Sequence, residues 1–367
     1  MYDVIVVGGG PSGSTVAKRC AQYGLNTLLL EKKRLPRNKV CSGMVLKPVA
    51  HTLIKHEFGD LPETLLCHPK YLSGIMFHIP GLGSQKVDIL HPLTWRRDLD
   101  YWMNEKAQAM GAEIWQETRV IGVREEGPGF FVTAMKNEER VKLETRFVVG
   151  AEGAISIVRK SLFPGLKMTY VQAYQEHYLG QLDLDKKYFH SFRILGSKPD
   201  RFGVIHKDDL FILSYGGEIG QIKGLVERSK DSLFQYCHFD RSQKLIHKEG
   251  CLEPILYKEL LTKVFMPAKG NALLIGDAGG FIMPVILEGI GLGIKSGQMA
   301  ANSIAKSVES GKQAEGIYLS QVEDVLSMFK SIQPLVKRIA EETEKGNPSL
   351  LDLLCEACNH ILKMYES

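Results

Sequence analysis

The sequence has no long hydrophobic run. Nothing in it approaches the roughly eighteen uninterrupted apolar residues of a membrane span, so no transmembrane helix is expected. No basic stretch precedes the first apolar segment, so no secretory leader is expected either. Charge of one sign is scarce: the net value is only +4. That gives no case for a nucleic-acid partner. Cysteines are few and odd in number, at positions 20, 41, 67, 237, 251, 355 and 358. Their loose spacing predicts free thiols in a reducing cytoplasm. The one C-x-x-C, Cys355 to Cys358, has no second pair, whereas a structural zinc takes four ligands. It reads as part of an apolar helix, and no metal is expected. Internal repeats and low-complexity tracts are also missing.

What is present is concentrated in the first thirty-one residues. Tyr2 to Val7 is a β-rich run. Gly8-Gly9-Gly10-Pro11-Ser12-Gly13 follows, then a helix-like stretch from Ser14 to Tyr23. Thr27 to Leu30 is a second apolar run and ends in Glu31. Strand, glycine turn, helix, strand, acid is the setting in which G-x-G-x-x-G signals a dinucleotide. Gly8 permits the tight turn, Gly10 lets backbone approach a pyrophosphate, and Gly13 lets helix pack on strand. The helix N-terminus, with Ser12, offers free N–H groups to a diphosphate. Glu31 stands where a carboxylate accepts from a ribose 2′-OH, which disfavours NADP. The fingerprint alone does not separate FAD from NAD. No second copy follows a strand, which excludes reductases with two dinucleotide domains.

Two later segments repeat the strand-to-small-residue-turn pattern. One is Phe147-Val148-Val149-Gly150-Ala151-Glu152-Gly153, running on to Arg159. The other is Ala272 to Ile275 followed by Gly276-Asp277-Ala278-Gly279-Gly280-Phe281, Pro284 and Leu287-Glu288-Gly289-Ile290-Gly291-Leu292. A fourth is Trp95-Arg96-Arg97-Asp98-Leu99-Asp100. Together they resemble the motifs of FAD-dependent oxidoreductases related to p-hydroxybenzoate hydroxylase. The resemblance implies FAD as cofactor, with Asp277 on its ribityl chain and Arg96 as a contacting arginine. It also implies cofactor contacts at Lys32, Gly43, Val120, Gly153, Gly276, Gly289, Gly291 and Leu292. The helix start at 288–291 is expected to face the reduced flavin's negative end. Glu152 departs from the family's usual aspartate.

Lys39-Val40-Cys41-Ser42-Gly43 resembles the K-x-C-x-G element of the geranylgeranyl reductase group, and Gly276 to Phe281 with Leu287 to Ile290 agrees. The hydroxylases' histidine after G-D-A is absent. The resemblance implies that Cys41 touches the flavin and acts catalytically; residue chemistry alone equally allows a buried small hydrophobe. Pro284, Ile286 and Tyr215 are expected to meet substrate, and His206 is the candidate acid, with His190 beside it. The group's Y-x-W-x-F-P strand matches Arg201 to Asp209 without its Trp and Pro, which points away from a long prenyl chain.

The expected fold is α/β with an α+β insert. A Rossmann-like FAD-binding domain comprises 1–66, 96–164 and 266–310. An antiparallel substrate sheet comprises 67–95 and 165–265. A helical region, with breaks at Pro334 and Asn347-Pro348, spans 311–367. The expected activity is reduction of a C=C bond in a hydrophobic or conjugated substrate by hydride from flavin N5. An aromatic monooxygenase and a non-catalytic redox flavoprotein are the alternatives. The electron donor is expected to be a transient NAD(P)H or a ferredoxin-like protein. An apolar substrate also allows peripheral contact with a membrane.

Overall fold

A computed structural model describes residues 1–195 and 200–364. Two sheets organise the chain. The first is built on β1 (Tyr2–Val7), after which α1 (Pro11–Gln22) crosses over to β2 (Thr27–Leu30). β2 is followed by a long irregular loop and then α2 (Val49–Phe58). Next come β3 (Leu66–Ile79), β4 (Gly83–Thr94), α3 (Arg96–Ala109), β5 (Glu113–Trp115), β6 (Thr118–Glu126), β7 (Gly129–Lys136) and β8 (Glu139–Gly150). After α4 (Ile157–Leu162) come β9 (Thr169–Leu179), β10 (Tyr188–Ile194), β11 (Asp200–Lys207) and β12 (Leu210–Gly217). Then follow α5 (Ile222–Cys237), β13 (Leu245–Ile255), α6 (Tyr257–Leu261), β14 (Ala268–Lys269) and β15 (Ala272–Leu274). The chain closes with α7 (Ile290–Ser310), α8 (Ala314–Lys345) and α9 (Leu350–Lys363).

The first sheet runs β14-β15-β8-β1-β2-β5, with β6 and β7 hanging from β8. Its centre is parallel: β1 pairs with β2 and β8, β8 with β15, and β2 with β5. Strands covered on both faces carry continuous apolar runs. Val4 to Val7, Leu28 to Leu30 and Leu273 to Leu274 are such runs, all buried. The three glycine turns therefore open at the same carboxyl edge, where ligands of parallel sheets bind.

The second sheet runs β13-β9-β12-β11-β10-β3-β4 and is antiparallel except where β10 meets β3. One face is packed with Phe192, Phe202, Val204, Phe211, Leu213 and the apolar side of α5. Sequence reading places β10, β11 and β12 but misses β9 and β13. Thr169 to Leu179 and Leu245 to Ile255 lack clean alternation, because their other face lines a cavity rather than a core.

One expected break does not occur. α8 runs straight through Pro334. A proline inside a helix costs about 3 kcal/mol. Here Val322, Val325, Leu326, Phe329, Ile332, Leu335 and Ile339 form a stripe buried in the main core, and that packing prevails. The second expected break is present, between α8 and α9. α9 carries Cys358 fully buried and leans on β3 and β4.

Candidate active site

The β1–α1 turn is shaped by sterics. A Cβ on Gly8, whose φ is +109°, would lie 2.4 Å from the Ala151 carbonyl oxygen. One on Gly13 would lie 1.9 Å from the Gly8 oxygen. Gly10 differs: a Cβ there would meet only the Arg37 Nη2, at 3.7 Å, and would project into open cavity. Glu31, at the end of β2, accepts from Gly9 N–H and Lys33 N–H, both at 2.9 Å. Arg37 Nε lies 3.3 Å from the same carboxylate. A carboxylate offers about four acceptor positions, so one remains for a ligand hydroxyl.

Arg37 is a residue that sequence reading missed. It bridges Glu31 and Asp100, its Nη1 lying 3.2 Å from Asp100 Oδ2. Arg96 binds Asp100 through Nε (2.9 Å) and Nη2 (3.2 Å), one helical turn apart on α3. Asn104, one turn further, donates to the Gly9 carbonyl at 2.9 Å. Its Oδ1 is buried and unpartnered among the described residues. The signal was in the sequence: Arg96, Asp100 and Asn104 recur at i, i+4 and i+8 on one helix face. Burial works against the Arg96 charge, but Asp100 and the Cys41 sulfur outweigh it and raise its pKa.

A cavity of about 870 Å³ runs from this turn to the second sheet. Gly8, Gly10, Ser12, Glu31, Lys32, Cys41, Arg96, Val120, Gly153, Asp277, Gly289, Ile286 and Tyr215 all line it. A smaller cavity of about 270 Å³ adjoins it, and Asn38, Lys39, Cys41 and Arg96 belong to both walls. Cys41 therefore stands at a junction. Its sulfur accepts from Gly43 N–H at 3.4 Å. Asp277 lies between two glycines: a Cβ on Gly153 would be 3.8 Å from its Oδ2, and one on Gly289 3.4 Å from its Oδ1. Burial opposes the Lys39 charge, yet Asp277 and the Cys251 sulfur raise its pKa overall.

Other expected residues stand off the cavity. Gly13, Gly43 and Gly276 serve close packing: a Cβ on Gly43 would lie 1.9 Å from the Thr94 oxygen, and one on Gly276 2.4 Å from Ser12 Oγ. Gly291 and Leu292 do not line it, and their N–H groups donate to Glu288 at 2.6 and 3.4 Å. The start of α7 is thus capped by its own side chain, whose pKa burial raises. Pro284 is absent from the lining. The Tyr215 ring is turned into the core under α5, so only the edge of that residue meets the cavity.

His206 is a correction. Side chains alternate along β11, and His206 shares a face with Val204; neither lines the cavity. Its Nε2 accepts from Leu182 N–H at 3.1 Å, and burial lowers its pKa to about 4. The next residue, Lys207, falls on the other face. It is fully buried, donates to the Thr94 carbonyl at 2.7 Å and sits 4.2 Å from the Trp95 ring centre. A Cβ on Gly43 would lie 2.6 Å from its Nζ, so the ammonium underlies the Cys41 loop. Burial lowers its pKa to about 8.

Comparison with known proteins decides the family. Residues 93–191 match an FAD binding domain and residues 6–61 an NAD(P)-binding Rossmann-like domain. Geranylgeranyl diphosphate reductase from Rhodobacter capsulatus is 31% identical over 327 residues, spanning 86% of this chain and 78% of that protein. The chain belongs to the geranylgeranyl reductase family of FAD-dependent oxidoreductases. Protein CbrA of Escherichia coli is 25% identical over 317 residues, 84% of this chain and 82% of that protein. A geranylgeranyl bacteriochlorophyll reductase-like protein from Thermoplasma acidophilum shares the fold. Its TM-score is 0.80 at 20% identity, over 100% of this chain and 96% of that one. So does a variant of the halogenase PltM in complex with FAD, with TM-score 0.74 at 17% identity over 100% and 83%. The cofactor is FAD. The residues present fit it: the open cradle at Gly10, the remaining acceptor position of Glu31, and Asp277 between two glycines could hold a dinucleotide.

Proposed function

We propose that this flavoprotein reduces a carbon–carbon double bond in a largely apolar substrate. When bound, FAD supplies the two-electron chemistry; the chain supplies position, exclusion of water and a proton. The observation that carries the reading is the placement of Cys41 on the wall of a cavity that joins the FAD cradle to an apolar chamber. Phe77, Phe189, Leu252, Ile282, Val285 and Ile286 line that chamber. Gly43 N–H donates to the Cys41 sulfur, and Arg96 lines the same part of the cavity. In this reading Cys41 gives its proton to the substrate carbon that does not receive the hydride. Reducing equivalents come from a transient NAD(P)H or a protein donor, since the chain has one G-x-G-x-x-G only.

Cys41→Ala tests the assignment. Turnover should fall at least tenfold while FAD content is unchanged. A variant that turns over normally removes Cys41 from the chemistry. A second measurement separates reduction from oxygenation: chemically reduced protein should reoxidise slowly in air, and substrate should not change that rate. Substrate-accelerated oxygen uptake would favour the monooxygenase.

A further inference from the structure

A turnover that takes a proton from Cys41 leaves a thiolate, which must regain a proton before the next. Cys41 lies on the walls of two cavities. With FAD and substrate in the larger one, the smaller, of about 270 Å³, is the free side of the sulfur and has room for several waters. Six residues belong to both walls: Asn38, Lys39, Cys41, Arg96, Gln175 and Glu249. Asn38 and Gln175 do not ionise. Lys39 and Arg96 have pKa values raised above their already high ordinary ones, so both keep their protons near neutral pH. Glu249 is the shared group besides Cys41 that can take up a proton and release it. Lys207 underlies the Cys41 loop but lines neither cavity.

β13 extends this route outward. His247, Glu249 and Cys251 alternate onto one face of the strand. His247 lines the smaller cavity only, Glu249 both, and Cys251 the larger only. Each step is about 7 Å. His247 Nε2 lies 3.7 Å from Glu249 Oε2 and has no hydrogen-bond partner among the described residues. The His247 side chain is 41% exposed and that of Glu249 27%, so the outer group meets bulk solvent.

The neighbours leave His247 free to carry charge. His177 stands opposite it on β9. The two rings meet edge-on at 5.1 Å, and His177 stacks on Trp95 at 5.9 Å. Burial, His247 and Lys207 lower the His177 pKa to about 4, so this ring is neutral near pH 7 and adds no second charge. The other charged groups on the cavity are Lys39, Arg96 and the Arg97–Asp98 ion pair, at 3.1 Å.

We propose that His247 and Glu249 carry protons from solvent through the smaller cavity to Cys41 and return it to the thiol after each turnover. The Cys41 thiolate takes the proton of the Glu249 carboxyl group. The carboxylate takes one from the His247 imidazolium, and the imidazole takes one from solvent. Each turnover passes one proton inward and no electrons. The inference rests on the reading of Cys41 as the proton donor beside FAD. His247 and Glu249 are positioning residues for that proton and touch neither flavin nor the reacting carbon.

The test needs no substrate. Alkaline solution ionises a free thiol, and a thiolate beside oxidised flavin adds a long-wavelength charge-transfer absorbance. FAD-loaded protein at pH 9.5 is jumped to pH 7 in dilute buffer by stopped flow, and the decay of that absorbance reads protonation of Cys41. His247→Ala and Glu249→Gln should keep native flavin content and slow the decay at least tenfold. Added imidazole should restore the rate in His247→Ala but not in Glu249→Gln. A native decay rate in either variant overturns the relay. So does a slow His247→Ala that imidazole leaves slow, because the histidine would then be structural. Failure of the underlying reading shows differently: the native protein itself would lack the absorbance, or Cys41→Ala would keep it.

Discussion

A side chain at Gly10 separates cofactor binding from folding. The backbone there is extended, with φ −83° and ψ −177°, which any residue adopts. A Cβ touches no backbone atom. Gly10→Leu should therefore fold with native thermal stability yet purify colourless. Gly8→Ala should instead lose the fold, because its Cβ strikes the Ala151 carbonyl. Normal flavin content in Gly10→Leu would mean that the pyrophosphate lies elsewhere. Lys207 offers a second test at this scale. Its folded pKa of about 8 lies below the ordinary 10.5. Below pH 8 both folded and unfolded chains hold the proton, and the fold bears the full cost of a buried ammonium. Between about 8 and 10.5 only the unfolded chain keeps it, so stability rises with pH. Relative to Lys207→Met, the native protein should gain on the order of 3 kcal/mol across that window, read from urea unfolding. A difference that stays flat with pH would show that the amine is solvated. Sequence alone gave no warning of Lys207, since nothing local distinguishes a lysine at a strand end from one under a loop.

At the scale of elements, β11 shows where sequence reading succeeds and where it stops. The strand itself was legible from its apolar alternation, as were β10, β12, α5 and the β3–β4 hairpin. The face each residue takes was not. A register shift of one residue moves every side chain across the sheet, and His206 falls on the packed side. His206→Gln, which keeps an acceptor for Leu182 N–H, should leave turnover within about twofold of native. A large loss would return His206 to the chemistry. The start of α7 teaches the same lesson. Its glycines mark a helix N-terminus correctly, but Glu288 folds back onto Gly291 and Leu292, a contact fixed by rotamer rather than by spacing. Arg37 was invisible for a different reason: it lies in a charged loop where any of several basic residues fits the pattern, and only tertiary packing selects the one that reaches Asp100.

For the whole molecule, two sheets and a helical layer bring residues from distant parts of the chain to one cavity. The order of the glycine motifs made the parallel sheet and the FAD assignment readable from sequence. The chamber was not readable, because its wall is assembled from six strands of the second sheet whose residues mean nothing singly. The central claim is that this assembly performs two-electron reduction of a C=C bond. The most direct test is product mass. FAD-loaded protein, reduced with dithionite in the absence of air, is given unsaturated lipids. The account predicts a product heavier by two hydrogens and carrying no new oxygen. A product that forms only in air and contains an oxygen atom from O₂ would contradict it.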